Sequence, residues 1–412
     1  MLFIFSRKTW PFALLLLCIM LGSFSRANAQ YFDLENNRKH VTIPFRLIRN
    51  LVIIKLNINN EGPFNFILDT GVGLMIITEP KLIDSINLTS KTVIKIPGLG
   101  EGEDNEAYLT SALNIGIPGM VSHDVNAAIL KKDMFNLSSF AGMPIDGILG
   151  YEFFSNFAVK LNFADSTITV CRPEDLRHMG KLTPIPITIE ERKPYLKANI
   201  TFPNGKTVDS KLVIDIGAGH PVSIENMIKN NGLPAKSIPA SLGIGLNGPI
   251  EGYLSRVNEV DIGKYKIMDV IASFPDDRKP HITASISRDG NLGVGILKKF
   301  DVIFDYPDNL LYLKPNNFFK EPFEHDMSGM EYYSTNDFEH VLVSRVEPGS
   351  PADNLGIERG DEIVSVNFRP VSKMTLEDLD AIFESRDNRS VLLEIYHDKK
   401  YDHVILTLKR RI

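Results

Sequence analysis

The sequence predicts a mainly β protein: two equivalent lobes followed by a smaller α+β domain. Three observations carry that prediction. An internal repeat spans most of the chain, each copy reads as short alternating strands, and the pattern changes after Pro315.

The repeat comes first in the chain. Asp146-Gly147-Ile148-Leu149-Gly150 recurs as Asp289-Gly290-Asn291-Leu292-Gly293. The match continues at an offset of 143, pairing Phe157 with Phe300, Val159 with Val302, Phe163 with Tyr306 and Asp165 with Asp308. Upstream, Glu106-Ala107-Tyr108-Leu109 recurs as Glu251-Gly252-Tyr253-Leu254 at an offset of 145, and Ile43-Pro44 pairs with Ile185-Pro186. Asp69-Thr70-Gly71 and Asp215-Ile216-Gly217 lie 146 apart. Landmarks in one order at nearly constant spacing define two lobes, over residues 40–171 and 182–315.

Within each lobe the strands alternate. Residues 159–163 read as a strand, 164–166 as a turn and 167–170 as the returning strand, and residues 301–313 repeat that hairpin. Short helices are expected over 79–86 and 223–230. Residues 316–329 are polar and broken by Pro322, which reads as a linker. The last domain, 330–412, has no counterpart in the repeat. Strands are expected over 341–346, 362–366, 391–395 and 403–408. A helix over 375–384 would carry Leu376, Leu379, Ile382 and Phe383 on one face.

Composition is that of an ordinary globular protein, with 43% apolar and 23% charged residues. A net charge of −6, with no long Lys/Arg run, argues against nucleic acid as a partner. Residues 1–29 read as a cleaved signal peptide. Arg7 and Lys8 form the positive flank, 11–21 the apolar stretch, and Ala27-Asn28-Ala29 the small-x-small site. The apolar stretch is short for a membrane span, so no stable anchor is expected after cleavage. The protein is then periplasmic or secreted. Cleavage leaves Cys171 as its one cysteine, within a run that reads as a buried strand.

The chemistry concentrates in the two Asp triplets. Each follows an apolar run that ends in a tight, glycine-containing loop. Two carboxylates brought together cannot both ionise, so one keeps a proton while the other activates a water. They titrate as a pair. The glycines permit the close approach of the loops. One Asp-Thr-Gly alone is an ordinary turn; its recurrence at the same place in a repeat is the signal.

On these residues the two lobes resemble the aspartic protease family of the pepsin/retropepsin type, and most closely its bacterial exported members. Leu68-Asp69-Thr70-Gly71, Ile214-Asp215-Ile216-Gly217, Ile148-Leu149-Gly150 and Asn291-Leu292-Gly293 carry the match over about residues 40–315. The resemblance implies Asp69 and Asp215 as the catalytic pair, with Thr70, Gly71, Ile216 and Gly217 as their supporting loops. It implies no cofactor and no metal, and a polypeptide substrate in the cleft between the lobes. Gly98–Gly102 and Gly243–Gly248 resemble flap tips. Two positions depart from the family pattern. Ile216 lacks the hydroxyl that Thr70 supplies, and Asn291 stands where the first lobe has Ile148. His220 reads as a hydrogen-bonded or surface histidine, and Tyr108 and Tyr253 as strand aromatics.

The C-terminal domain resembles a PDZ domain of the bacterial type. The match rests on Val346-Glu347-Pro348-Gly349-Ser350-Pro351-Ala352 and Gly356-Ile357-Glu358-Arg359-Gly360-Asp361-Glu362-Ile363. It implies an extended peptide or a protein C-terminus added at a sheet edge beside the helix. A carboxylate-binding loop is expected near residues 328–332, with Glu331 where the family has glycine. Two readings follow: an exported aspartic endopeptidase whose PDZ domain positions peptide, or a non-catalytic peptide-binding scaffold on a protease fold with an altered second loop.

Overall fold

The computed structural model describes residues 32–412 except 87, 89, 90, 97–104, 180, 181, 229–231, 246, 247, 277 and 279–285. The leader expected over 1–29 and the flap tip expected at Gly98–Gly102 lie outside the described residues.

In each lobe the Asp loop is approached by a parallel pair of strands buried on both faces at that end. In lobe 1, Gly147–Leu149 runs parallel to Glu61–Leu68, with Leu149 opposite Leu68. In lobe 2, Gly290–Gly293 runs parallel to Thr207–Asp215, with Gly293 opposite Asp215. Burial on both faces explains the continuous apolar runs that precede each Asp triplet. The repeated Asp146 and Asp289 seal the start of each pair. Asp146 Oδ2 accepts the Asn65 amide at 2.7 Å, and Asp289 Oδ2 accepts the Lys211 amide at 2.8 Å.

The lobes share a sheet. Its order is Pro184–Pro186, Leu310–Pro315, Phe300–Asp305, Ala158–Asn162, Thr167–Cys171, His40–Pro44. The central pair brings one strand from each lobe together, Val159 opposite Phe304 and Leu161 opposite Val302. The alternation His40-Val41-Thr42-Ile43-Pro44 buries Val41 and Ile43 on the core side. Cys171 is buried in this sheet, and burial pushes its thiol up to about 11.

Three expectations need adjustment. The first helix is only Leu82–Ser85. Where the second was expected over 223–230, Val222–Ile224 is a strand wedged between Tyr265–Pro275 and Gly290–Gly293, and helical backbone begins only at residues 227 and 228, the last described before the gap at 229–231. The segment 316–329 is not a free linker at both ends: Phe323 joins the core beneath the lobes, and Met327 joins the core of the C-terminal domain.

That domain is a sheet in the order Met330–Ser334, Val341–Val346, Glu362–Val366, Ser390–His397, Lys400–Thr407. Helix Leu376–Phe383 covers it, burying Leu376, Leu379 and Phe383. Thr375 caps the helix reciprocally with Asp378. The two lobes and this domain form a single compact unit.

Candidate active site

Asp69 leaves the strand Glu61–Leu68 and donates its amide to the Leu149 carbonyl at 3.0 Å. Asp215 ends the strand Thr207–Asp215. Each carboxylate accepts the amide of the glycine two residues on: Gly71 to Asp69 Oδ1 at 2.6 Å, Gly217 to Asp215 Oδ1 at 3.0 Å. Each glycine also lies against the opposite carboxylate. A Cβ on Gly217 would lie 2.2 Å from Asp69 Cγ, and one on Gly71 2.9 Å from Asp215 Oδ2. The loops meet because neither carries a side chain there.

The two loops are tied together from one side only. Thr70 is fully buried; its hydroxyl donates to the Ile214 carbonyl at 2.7 Å and accepts the Ile216 amide at 3.0 Å. Ile216 makes no reciprocal bond. It is equally buried and packs into the main core.

A second asymmetry falls on the carboxylates. Asn291 Nδ2 donates to Asp215 Oδ2 at 3.0 Å, leaving its own Oδ1 buried without a hydrogen-bond partner. An amide N–H₂ can only donate, so it favours the ionised form of the oxygen it meets. Among the described residues Asp69 has no such side-chain donor on its lobe, where Ile148 occupies the equivalent place. Burial raises the Asp69 carboxyl well above its ordinary range, and the neighbouring Asp215 adds to the rise by its charge and a hydrogen bond. The Gly71 amide and Lys193 pull the other way.

His220 departs from its sequence reading at one atom: the residue is half-buried and lines the cleft, and its Nε2 is buried with no hydrogen-bond partner. Burial lowers its basicity, against the pull of Asp215. Tyr306 also carries a buried, unpartnered hydroxyl, which burial and then both aspartates keep protonated. Tyr108 and Tyr253 pack against the core as strand aromatics, and neither lines the cleft.

The dyad stands in a cleft of about 900 Å³ lined by both lobes. Lobe 1 contributes an apolar wall of Val72, Ile76, Phe135, Leu137 and Ile148. Lobe 2 contributes polar groups, among them Lys193, His220, Arg288 and Asn291. The hairpin Ser237–Gly245 and Gly248–Ile262 borders the cleft through Ser241, Leu242, Gly243 and Ile250.

Two hairpin tips brace the Asp loops across the lobes. Arg49 and Asn50 turn between Arg46–Ile48 and Leu51–Ile58; Glu191 and Arg192 turn between Thr188–Glu190 and Lys193–Thr201. All four residues have positive φ, from 46° to 65°. Asn50 Nδ2 donates to the Gly219 carbonyl at 2.9 Å, and Arg192 donates to the Gly73 carbonyl at 3.0 Å. Each tip thus holds the loop of the other lobe. Sequence reasoning missed them because neither tip has the Asn-Gly or Asp-Gly signature of such a turn.

Two family models agree with this architecture. Residues 54–153 match the family model described as aspartyl protease, and residues 342–396 match the model of the PDZ domain. This chain joins an aspartic-protease-like fold to a PDZ domain. The chain is similar to the crystal structure of the aspartic proteinase from Irpex lacteus, at 11% identity and TM-score 0.45, covering 68% of this chain and 99% of that one. It is also similar to the photosystem II D1 C-terminal processing protease, at 23% identity and TM-score 0.20, covering 21% of this chain and 23% of that one. No curated protein matches the sequence significantly.

The PDZ loop expected to take a carboxylate is already satisfied from within. Asp326 Oδ1 accepts the Gly329 amide at 2.7 Å and the Ser328 hydroxyl at 2.6 Å, and the Ser328 hydroxyl accepts the Met330 amide at 3.0 Å. Glu331 is paired with Arg345 at 2.7 Å and accepts the Ser241 amide of the lobe 2 hairpin at 3.2 Å. Among the described residues, Asp337, Glu339 and His340 group their ligand atoms within 4.8 Å on the surface. His340 is paired there with Glu362 at 2.6 Å, and no other feature marks the group as a metal site.

Proposed function

We propose that this protein is an aspartic-type endopeptidase acting through Asp69 and Asp215. The observation that carries the reading is the mutual approach of the two loops, each glycine against the opposite lobe's carboxylate, at the floor of a two-lobed cleft. Missing the Ile216 hydroxyl does not open this arrangement. Thr70 alone ties both backbones, and Ile216 fills its place with apolar packing.

The asymmetry supports a division of roles. Asp69, raised by burial and by its neighbour, holds the shared proton. Asp215, facing the Asn291 and Gly217 donors, is the anion. In the first step the Asp215 carboxylate takes a proton from water. The water oxygen bonds to the peptide carbonyl carbon, and Asp69 gives its proton to the carbonyl oxygen. In the second step the C–N bond breaks, the amine nitrogen takes the proton from Asp215, and a hydroxyl proton of the tetrahedral diol returns to Asp69. The apolar wall of lobe 1 suits an apolar substrate side chain on one side of the scissile bond.

The test is digestion of a broad peptide library from acid to neutral pH, with Asp69→Asn and Asp215→Asn as controls. Cleavage by the wild type and by neither variant supports the reading. A wild type that cleaves nothing across that range overturns it in favour of a peptide-binding scaffold.

Export is proposed on the sequence of residues 1–29, with its Arg7-Lys8 flank and Ala27-Asn28-Ala29 site. An N-terminus at Gln30 in protein recovered outside the cytoplasm supports it. An intact N-terminus in the cytoplasmic fraction overturns it.

A further inference from the structure

The peptide edge of the PDZ domain is filled by the protease body itself. Strand Met330–Ser334 is the end strand of its sheet and pairs on one side only, with Val341–Val346. Its other edge faces helix Leu376–Phe383, through Tyr332 Oη on Asp380 Oδ1 at 2.5 Å and the Tyr332 ring on Phe383. A free edge beside a helix is where this fold adds an extended peptide.

Arg49 occupies that edge. Its guanidinium donates to the Tyr332 carbonyl at 3.2 Å and to the Phe140 carbonyl at 3.1 Å. It also grips both Asp380 carboxylate oxygens, at 2.9 and 3.0 Å. A bidentate pair is the strong form of this contact. The same guanidinium lies 4.6 Å from the Phe140 ring centroid and 5.1 Å from that of Tyr332. Helix Leu137–Ala141 packs on Met330–Ser334, and a Cβ on Gly142 would come within 3.3 Å of Leu376.

The chemistry of the filled edge identifies what replaces the plug. The carboxylate-binding loop has its Gly329 and Met330 amides taken by Asp326 and Ser328. Around the edge stand the acids Glu377, Asp380 and Glu384, with Arg46 near Glu377 and Lys298 near Glu384, while Glu331 is already paired with Arg345. Glu377 and Glu384 both feel the negative charge of Asp380. A peptide's terminal carboxylate meets repulsion here, whereas a cation replaces what Arg49 supplies.

We infer that this edge is a docking surface for an extended peptide carrying an arginine or lysine, held shut in the free protein by Arg49 acting as the internal substitute for that residue. Arg49, Leu137 and Phe140 also line the cleft. A peptide that expels Arg49 therefore rearranges the cleft wall.

The test reads binding, so its outcome is independent of whether the dyad turns over. Full-length wild type and Arg49→Ala are applied to an array of decapeptides of three kinds: central arginine, central glutamate, and a free apolar C-terminus. Arg49→Ala should retain the arginine peptides at least about tenfold more tightly than the wild type does, a difference of one decade in Kd. Amide exchange over 330–334 should speed up in the same variant. Equal binding by both proteins, or a preference for the C-terminal or glutamate peptides, overturns the proposal. Should Arg49→Ala fail to fold, the near-isosteric Asp380→Asn loosens the same clamp. It should open the edge to exchange while losing the preference for arginine; an edge that stays protected overturns the proposal equally.

Discussion

The hydroxyl of Thr70 accepts the amide hydrogen of Ile216 at 3.0 Å, and Ile216 offers nothing in return. One side chain thus closes a link that reaches the backbone of both Asp loops.

Thr70→Val should be more damaging than its size suggests. It removes two buried hydrogen bonds and leaves the Ile216 amide and the Ile214 carbonyl unpaired. The expected cost is about 1–3 kcal/mol for each group left unsatisfied. Denaturant titration measures it, and Thr70→Ser should recover most of the loss. Ile216→Thr should cost about 1 kcal/mol by taking apolar volume from the core.

Gly217→Ala should abolish turnover more completely than Gly71→Ala. The new methyl at 217 would sit 2.2 Å from Asp69 Cγ, against 2.9 Å from Asp215 Oδ2 for position 71. Single-turnover kinetics on one cleaved library peptide compares the two. Equal activity in both variants would contradict the geometry described.

Asn291→Leu should lower kcat/KM by about tenfold or more. It removes the side-chain donor to Asp215 Oδ2, and a hydrogen bond to a charged group contributes about 1.5–3 kcal/mol. Steady-state kinetics on one cleaved library peptide measures the loss, and an unchanged kcat/KM would contradict the role given to this bond.

Three buried carboxyls should each contribute stability that falls as pH rises from acid to neutral, while buried His325, lowered to about 4, works the other way. Burial pushes Glu152, Glu384 and Asp326 each up to about 7. A carboxyl raised on folding binds its proton more tightly in the folded state. Its contribution is therefore complete below the ordinary carboxylate range and is lost as pH passes through about 7. Asp69 is raised in the same direction. Thermal unfolding across this range checks the slope. Glu152→Gln should flatten it, and Asp69→Asn should stabilise the protein at neutral pH while removing activity, as strained catalytic groups commonly do.

What the sequence made legible was whatever is local and repeated. The Asp triplets, the apolar runs that lead into them and the helix starting after Thr375 each carry their cause within a few residues. What it hid depends on long-range contact. Asn291 was visible as an odd polar residue, but its bond to Asp215 spans 76 positions. Arg49 lies in a turn with no marking motif and meets Asp380, 331 positions away. His220 was judged by the frequency of ordinary histidines, whereas its surroundings leave Nε2 without a partner. A left-handed turn built without glycine is the nearest thing to a local clue for Arg49, and it is readable only from the backbone.

The central pair of the shared sheet, Ala158–Asn162 beside Phe300–Asp305, joins two halves of one polypeptide. A symmetric assembly of two identical chains would have to carry Ile216 and Asn291 in both loops or in neither. Here Thr70 faces Ile216 and Ile148 is the counterpart of Asn291, so each half departs from the other. Joining the halves is what permits a division of labour between two aspartates that began as the same residue of a repeat.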